Sequence, residues 1–307
     1  MADVETATAL LGDLARTDVP IGPLTTYRVG GTAKVFVEAN SIDDLVAVGE
    51  AARSSGLPLL CIGRGSNLLV SDAGFNGIAV VMGEGLATIE IQPGPYVVAG
   101  AATALPVLAR RTVQEGLTGF EWAVGVPGSV GGAVRMNAGG HGADVADSLV
   151  DCVVIDVESG TVATRQPADL ALRFRGSNIS SSEIVVSARF AMTHGDREAG
   201  ERTLREIVRW RRENQPGGQN AGSVFVNPFD GRDSAGRLID ELGLKGMRVG
   251  SAHVATKHAN FIQADEGGSA DDVRALMARI VERVADEFGI HLRSEIRLIG
   301  FDEESQS

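Results

Sequence analysis

Cysteine is scarce. Only Cys61 and Cys152 occur in 307 residues, far apart and without a CxxC pair. That usage excludes a disulfide framework and a thiolate metal centre, and it suits a reducing compartment. No window approaches the ~18 consecutive apolar residues of a membrane span. The opening residues MADVETATALLGDL lack a basic region followed by a long apolar one, so no signal peptide is expected. Positive charge is also in deficit: a net charge of −12 argues against a general nucleic-acid or anionic-membrane surface. Any phosphate-bearing ligand must then be met locally, by arginines and backbone amides. His253 and His258 stand five apart, the wrong spacing for a helical metal pair. The expectation is a soluble, cytoplasmic protein without a metal or a nucleic-acid partner.

Glycine, by contrast, is plentiful and concentrated. Val124 to Gly140 reads VGVPGSVGGAVRMNAGG, with apolar residues threaded between the glycines. A flexible linker would lack the valines and the methionine. A helix loses about 1 kcal/mol per glycine relative to alanine, so the segment reads as a half-buried turn system. Successive amides in such turns form nests for phosphate, and a nucleotide cofactor is the first hypothesis.

Around it the chain alternates strand and helix. Residues 33–38 read as a strand, and Ser41 caps a helix that stops at Gly56. Residues 58–62 form a short strand in which Cys61 is taken as a core residue, and residues 78–82 form another. Strand character continues over 96–100. Leu105, Leu108, Ala109, Thr112 and Val113 then make one face of a helix ending at Gly116. Further strands are expected over 152–157 and 184–190. Residues 198–214 suggest a charged helix with Leu204, Ile207, Val208 and Trp210 inward. A second amphipathic helix spans 271–288, followed by an alternating strand, HLRSEIRLIG, and a frayed tail.

Several constellations could carry chemistry. Gly63–Arg64–Gly65–Ser66–Asn67 follows a strand directly, but it lacks the lysine of a phosphate-binding P-loop and the third glycine of a dinucleotide fingerprint. A tight Gly–Gly turn with Ser and Asn side chains can still hold a pyrophosphate. Ser223, in AGSVFVNP, has no nucleophile elbow and no nearby histidine; it is either a turn serine or a hydroxyl that gives up one proton. Alternation puts His291, Arg293, Glu295 and Arg297 on one strand face, either solvated or aimed into a cleft for acid–base work. Arg175, in LRFRGSN, reads by itself as a surface arginine.

Together these pieces resemble the UDP-N-acetylenolpyruvoylglucosamine reductase family, also called UDP-N-acetylmuramate dehydrogenase. The resemblance runs in order through PLTTYRVGGTA, IGRGSNLLV, GFEWAVGVPGSVGGAVRMNAGG, FRGSN, AGSVFVNP, AGRLIDELGLKGMRVG, HVATKHANFI and SEIRLIG. It implies an α+β fold: a two-part FAD-binding region of the vanillyl-alcohol-oxidase-like type plus a third, α+β substrate-binding domain. The implied boundaries are 1–82 and 83–200 for the FAD-binding subdomains and 201–295 for the substrate domain, with the strand over 296–307 returning to the first.

The resemblance further implies non-covalent FAD, with NADPH delivering a hydride to the flavin. The enolpyruvyl group of UDP-N-acetylglucosamine-enolpyruvate takes that hydride at the carbon distal to its carboxylate, and a proton enters at the adjacent carbon. This is a step of peptidoglycan precursor synthesis that requires no oligomer. The family's proton-donating serine falls on Ser223, its arginine on Arg175 and its glutamate on Glu295. Arg293 and Arg297 would favour an ionised Glu295, burial a neutral one. The implied cofactor contacts are Tyr27, Arg28, Gly63, Arg64, Gly65, Ser66, Asn67, Leu68, Gly125, Val126, Pro127, Gly128, Ser129, Gly131, Gly132, Asn137 and Ala138. Asn137 is expected close to flavin and substrate. Substrate contacts fall on Asn227, Lys257, Arg297 and Arg211.

Two features depart from the family pattern. Asn214 stands where members often carry a phosphate-contacting lysine, for which Arg211 and Arg212 could substitute. The short span from Arg175 to Ser223 leaves little room for a tyrosine-bearing loop, which points to the loop-lacking subtype. Two other readings are a flavin oxidase sharing the FAD-binding region and a non-catalytic nucleotide sensor.

Overall fold

The computed structural model describes residues 3–229 and 232–301. The expected frayed tail lies mostly outside the described residues. The chain forms two compact units. The first comprises residues 1–18, 34–64 and 77–211; the second comprises 19–33, 65–76 and 212–307.

Local signals build the first unit. The helix Ile42–Ser55 starts at a capping box, in which the Ser41 hydroxyl accepts the Asp44 N–H and the Asp44 carboxylate accepts the Ser41 N–H. It ends at Gly56 in the left-handed conformation. A four-stranded sheet runs in the order Arg16–Pro20, Thr32–Ala39, Phe75–Met82, Leu59–Ile62. A five-stranded sheet runs Thr161–Arg165, Leu149–Asp156, Glu183–Ala191, Tyr96–Gly100, Ile89–Gln92, with antiparallel pairing throughout. At Gly49 a Cβ would collide with the Val157 carbonyl, so this glycine lets the helix Ile42–Ser55 press onto the end of the strand Leu149–Asp156.

The second unit is built on the helix Ala270–Phe288, whose Val273, Leu276, Met277, Ile280 and Val284 are buried. A three-stranded sheet packs against it, Arg248–Val249, Ala252–Val254 and Ile262–Ala264. Asp72 reaches the start of that helix from far away in sequence: its carboxylate accepts the Ala270 and Asp271 N–H groups at 3.0 and 3.2 Å and the Ser269 hydroxyl. The strand Arg297–Ile299 pairs in parallel with Leu68–Val70.

Four expectations are corrected. The glycine-dense segment is not turns alone, because Val130–Met136 is helical. A Cβ at Gly131 would sit 2.9 Å from the Ala101 Cβ, so glycine there permits close helix packing whose gain offsets its low propensity. The strand expected from HLRSEIRLIG shrinks to Arg297–Ile299, the stretch for which Leu68–Val70 supplies a partner. Trp210 is 47% exposed, off the buried stripe of Leu204 and Ile207, and its ring meets the edge of His141. Cys61 is not in the core, since its strand buries Leu60 and Ile62 and turns the intervening thiol outward. Protein atoms still crowd that thiol and push its pKa up to about 11, against the opposing pull of Arg135.

Candidate active site

In the first unit the two glycine-rich segments meet. A Cβ on Gly63 would stand 2.6 Å from Ser129 Oγ. Ser129, which precedes the helix Val130–Met136, is 2% exposed, and its hydroxyl has no hydrogen-bond partner. A buried hydroxyl left unpaired costs about 1–3 kcal/mol, which a bound acceptor or donor would recover. Gly128 fastens the segment from the other side, its carbonyl accepting the Leu105 N–H at 2.9 Å. Gly125 is buried; a Cβ there would press on Ile207 at 3.0 Å and on the His141 ring at 3.3 Å. Val126, Gly132 and Ala138 are half-buried and Pro127 is exposed.

Asn137 ends the helix in the left-handed conformation. Its side-chain amide is engaged within the unit, donating to Asp144 Oδ2 at 3.0 Å and to the Arg173 carbonyl at 3.3 Å. Its Oδ1 accepts the Ala146 N–H at 3.0 Å. The residue thereby ties the glycine-rich segment to the turn that carries Arg175. Arg173 and Gly176 exchange two backbone hydrogen bonds, which leaves Phe174 and Arg175 at a tight tip. Arg175 has φ +53°, unusual for a residue with a side chain. Its Nη2 donates to the Gly139 carbonyl at 3.2 Å, and its guanidinium lies 4.9 Å from the Phe174 ring centre. Arg211 is half-buried, and desolvation lowers its pKa. That cation and, more strongly, burial hold the His141 imidazole below its ordinary pKa.

The second unit carries its own glycine turn. Gly65 has φ +60°, and a Cβ there would stand 2.5 Å from the Thr25 Cα. The Thr26 N–H donates to the Gly65 carbonyl at 3.1 Å. The Thr26 and Tyr27 hydroxyls are buried without partners, and burial raises the Tyr27 phenol well above its usual range, so it stays a neutral donor. Arg28 follows in the left-handed region with an exposed side chain; Arg64 is also exposed, Ser66 half-buried and Leu68 buried. Each unit thus holds a glycine turn and buried hydroxyls without partners, groups that fit an oxygen-rich ligand such as a pyrophosphate.

Asn67 links this turn to the C-terminal segment. Its Nδ2 donates to the Glu295 carbonyl at 3.2 Å, and its carbonyl accepts the Arg297 N–H at 2.9 Å. Glu295 in turn donates its N–H to the Val224 carbonyl at 2.8 Å, and Phe225 bridges Ser294. Ser223 and Glu295 therefore sit on adjoining backbone segments, both half-buried, whereas Arg175 belongs to the first unit. Asn227 Oδ1 accepts the Ala235 N–H at 3.1 Å at the start of the helix Ala235–Glu241, and Lys257 Nζ donates to the Arg212 carbonyl at 2.9 Å. Val226–Phe229 and Gly289–Arg293 line a concavity of about 290 Å³.

Sequence reasoning missed Asn260, which the HAN turn in HVATKHANF signals only weakly. It also missed Asp72, whose partners lie almost two hundred residues away.

Residues 33–165 match the FAD binding domain family, and residues 214–299 match the family described as UDP-N-acetylenolpyruvoylglucosamine reductase, C-terminal domain. The chain is 41% identical to the UDP-N-acetylenolpyruvoylglucosamine reductase of Synechococcus sp. (strain RCC307), over 95% of this chain and 96% of that one. It superposes on the crystal structure of the enzyme of that name from Thermus caldophilus with a TM-score of 0.80 at 33% identity, covering 93% of this chain and 99% of the other. A berberine bridge enzyme variant shares the fold over 64% of this chain and 44% of its own, at a TM-score of 0.51 and 13% identity. The chain belongs to the UDP-N-acetylenolpyruvoylglucosamine reductase family.

Proposed function

We propose that this chain is an FAD-containing, NADPH-dependent oxidoreductase that reduces UDP-N-acetylglucosamine-enolpyruvate to UDP-N-acetylmuramate. The observation that carries this reading is the union in one chain of an FAD-binding region and a reductase-type C-terminal domain, in a family match that spans both. Bound FAD supplies a two-electron carrier that accepts hydride from NADPH and passes it to the substrate. The orphan hydroxyl of Ser129 beside Gly63, and those of Thr26 and Tyr27 in the segment that bonds to Gly65, support Gly63–Leu68 and Gly125–Ala138 as its holders.

Hydride addition to the terminal enolpyruvyl carbon leaves negative charge on the adjacent carbon and its carboxylate. In this reading Arg175 and a neutral or hydrogen-bonded Glu295 stabilise that enolate-like charge. Ser223 then gives its proton to the carbon that bears the carboxylate. A serine hydroxyl is a weak acid, but a carbanion-like centre is a strong base, and a fixed donor suffices. Asn227, Lys257, Arg297 and Arg211 are the proposed contacts to the UDP-sugar. The division into subdomains 1–82 and 83–200 and a substrate domain 201–295 is part of the same reading, as is cytoplasmic action as a single chain. Among the described residues no helix is long and apolar enough to cross a membrane.

The purified protein is expected to absorb near ~450 nm, to bleach with NADPH and to recover on addition of the enolpyruvyl substrate. Ser223→Ala is expected to bleach normally and to recover at least about 100-fold more slowly. Recovery driven by oxygen and not by the substrate would favour a flavin oxidase instead.

A further inference from the structure

Asn260 is 4% exposed and lies outside every set of residues assigned above to cofactor or substrate. Its Oδ1 accepts the Phe225 N–H at 3.0 Å, and its Nδ2 donates to the Phe225 carbonyl at 2.9 Å. Its own carbonyl accepts the Val224 N–H at 2.9 Å. Three hydrogen bonds from one residue therefore fall on the two positions that follow Ser223. Asn260 is itself held, because its N–H donates to His258 Nδ1 at 3.2 Å.

Before the serine, Gly222 takes φ +79° and donates its N–H to Asn220 Oδ1 at 3.1 Å. Ser223 is strung between these two anchors. Among the described residues its hydroxyl has no hydrogen-bond partner, so the placement of its backbone sets where that hydroxyl can reach.

We infer that Asn260 is a positioning residue for Ser223, fixing the two peptide groups on either side of the Phe225 Cα and through them the line along which the serine hydroxyl is presented. The inference rests on the reading of Ser223 as proton donor. The chemistry of the contact is specific to a carboxamide on a one-carbon arm. Pairing with both the N–H and the C=O of one residue needs one donor and one acceptor side by side. Aspartate offers two acceptors and would set a carboxylate against the Phe225 carbonyl. Alanine would leave both buried peptide groups unpaired.

The test uses FAD-loaded enzyme and separates the two half-reactions by rapid mixing. In Asn260→Asp, reduction by NADPH is expected within about twofold of wild type, and substrate binding, read from the perturbed flavin spectrum, within about threefold. Reoxidation by the enolpyruvyl substrate is expected to fall on the order of 10–100-fold, the scale on which small misplacements act. In a Ser223→Ala background the same substitution is expected to add nothing, which a merely structural role would not produce. The Val224 and Phe225 amides are expected to exchange faster with solvent while those of Ala270–Phe288 hold. If Asn260→Asp does not load FAD, Asn260→Ser, which is smaller and uncharged, carries the same comparison. An equal slowing in both serine backgrounds, a parallel loss of both half-reactions, or wild-type reoxidation alongside a slow Ser223→Ala enzyme overturns this inference alone. Wild-type reoxidation in Ser223→Ala overturns the proton-donor reading, and this inference with it.

Discussion

Asn67 donates its side-chain amide to the main-chain carbonyl of Glu295 at 3.2 Å, across 228 residues of sequence. The same residue accepts the Arg297 N–H, and Glu295 donates to Val224. The turn proposed for the cofactor, the glutamate proposed for catalysis and the segment that carries the proposed proton donor Ser223 are thus one hydrogen-bonded assembly within the second unit. Asn67→Ala removes the side-chain bond, a loss of about 1 kcal/mol, and frees the glutamate's peptide. The expected result is weaker FAD binding, read by flavin fluorescence titration, together with slower reoxidation by substrate. An effect on FAD alone would show that the two functions are not linked through this contact.

Gly63 makes the corresponding prediction for the first unit. A methyl group there would occupy the space 2.6 Å from the buried Ser129 hydroxyl, the place where an oxygen-rich ligand group is expected. Gly63→Ala is expected to weaken FAD binding by about tenfold or more, equivalent to about 1.4 kcal/mol. Secondary structure by circular dichroism is expected to stay intact. Normal FAD occupancy in this variant would remove the Gly63–Ser129 cradle from the cofactor site.

What the sequence revealed and what it hid follow from the range of the interactions. Ser41 and Gly56 announce the ends of their helix because a cap and a left-handed stop are decided within four residues. The helix Val130–Met136 was illegible because the penalty of Gly131 is local, whereas its compensation, close approach to Ala101, is tertiary. Likewise HLRSEIRLIG alternates over its whole length, but strand pairing needs a partner, and Leu68–Val70 supplies one for three residues only. The glycine turns and Ser223, Arg175 and Glu295 are singled out as proposed site residues by resemblance, and nothing in the local sequence of those three side chains does so. Asn260 is not, because its side chain bonds to a residue 35 positions away.

Asp72 yields a stability prediction independent of the chemistry. Its carboxylate accepts two backbone N–H groups and a hydroxyl at the start of Ala270–Phe288, where the helix dipole also favours a negative charge. Asp72→Ala is expected to cost about 1–2 kcal/mol, read as a lower urea midpoint with an unchanged slope. A midpoint at the wild-type value would mean that Ser269, which also caps this helix, suffices without it.

Acidification is expected to weaken the fold before its carboxylates titrate. Burial, then the nearby Lys245, lowers the His258 imidazole from its ordinary 6.5; burial and Arg211 act likewise on His141. A histidine whose folded pKa is lowered takes up protons more readily in the unfolded chain. Its contribution is therefore fully present above about pH 6.5 and is lost as the pH falls from there toward the folded pKa. Asp272, lowered from 3.8 by its hydrogen bonds to Ser251, acts only in a more acidic window. The thermal midpoint is expected to drop between about pH 7 and pH 5.5, and His258→Gln to flatten that drop. An unchanged slope in the variant would assign the effect to His141.

Arg175 separates stability from activity. Its φ of +53° is a conformation that glycine adopts freely and a side-chain-bearing residue adopts at a cost of about 1 kcal/mol. Against that gain, Arg175→Gly gives up the bond to the Gly139 carbonyl and the contact with the Phe174 ring. The expected balance is a stability within about 1 kcal/mol of wild type, measured by urea unfolding. On the proposed role of Arg175, the reoxidation half-reaction is expected to slow by on the order of 100-fold or more, because no guanidinium would stabilise the developing enolate charge. Arg175→Lys keeps a charge but not the planar fork, and its rate is expected between the two. Strain retained in the wild-type turn would then be explained by the chemistry of its tip. A fast Arg175→Gly enzyme would mean instead that the left-handed arginine serves only the local packing of the turn.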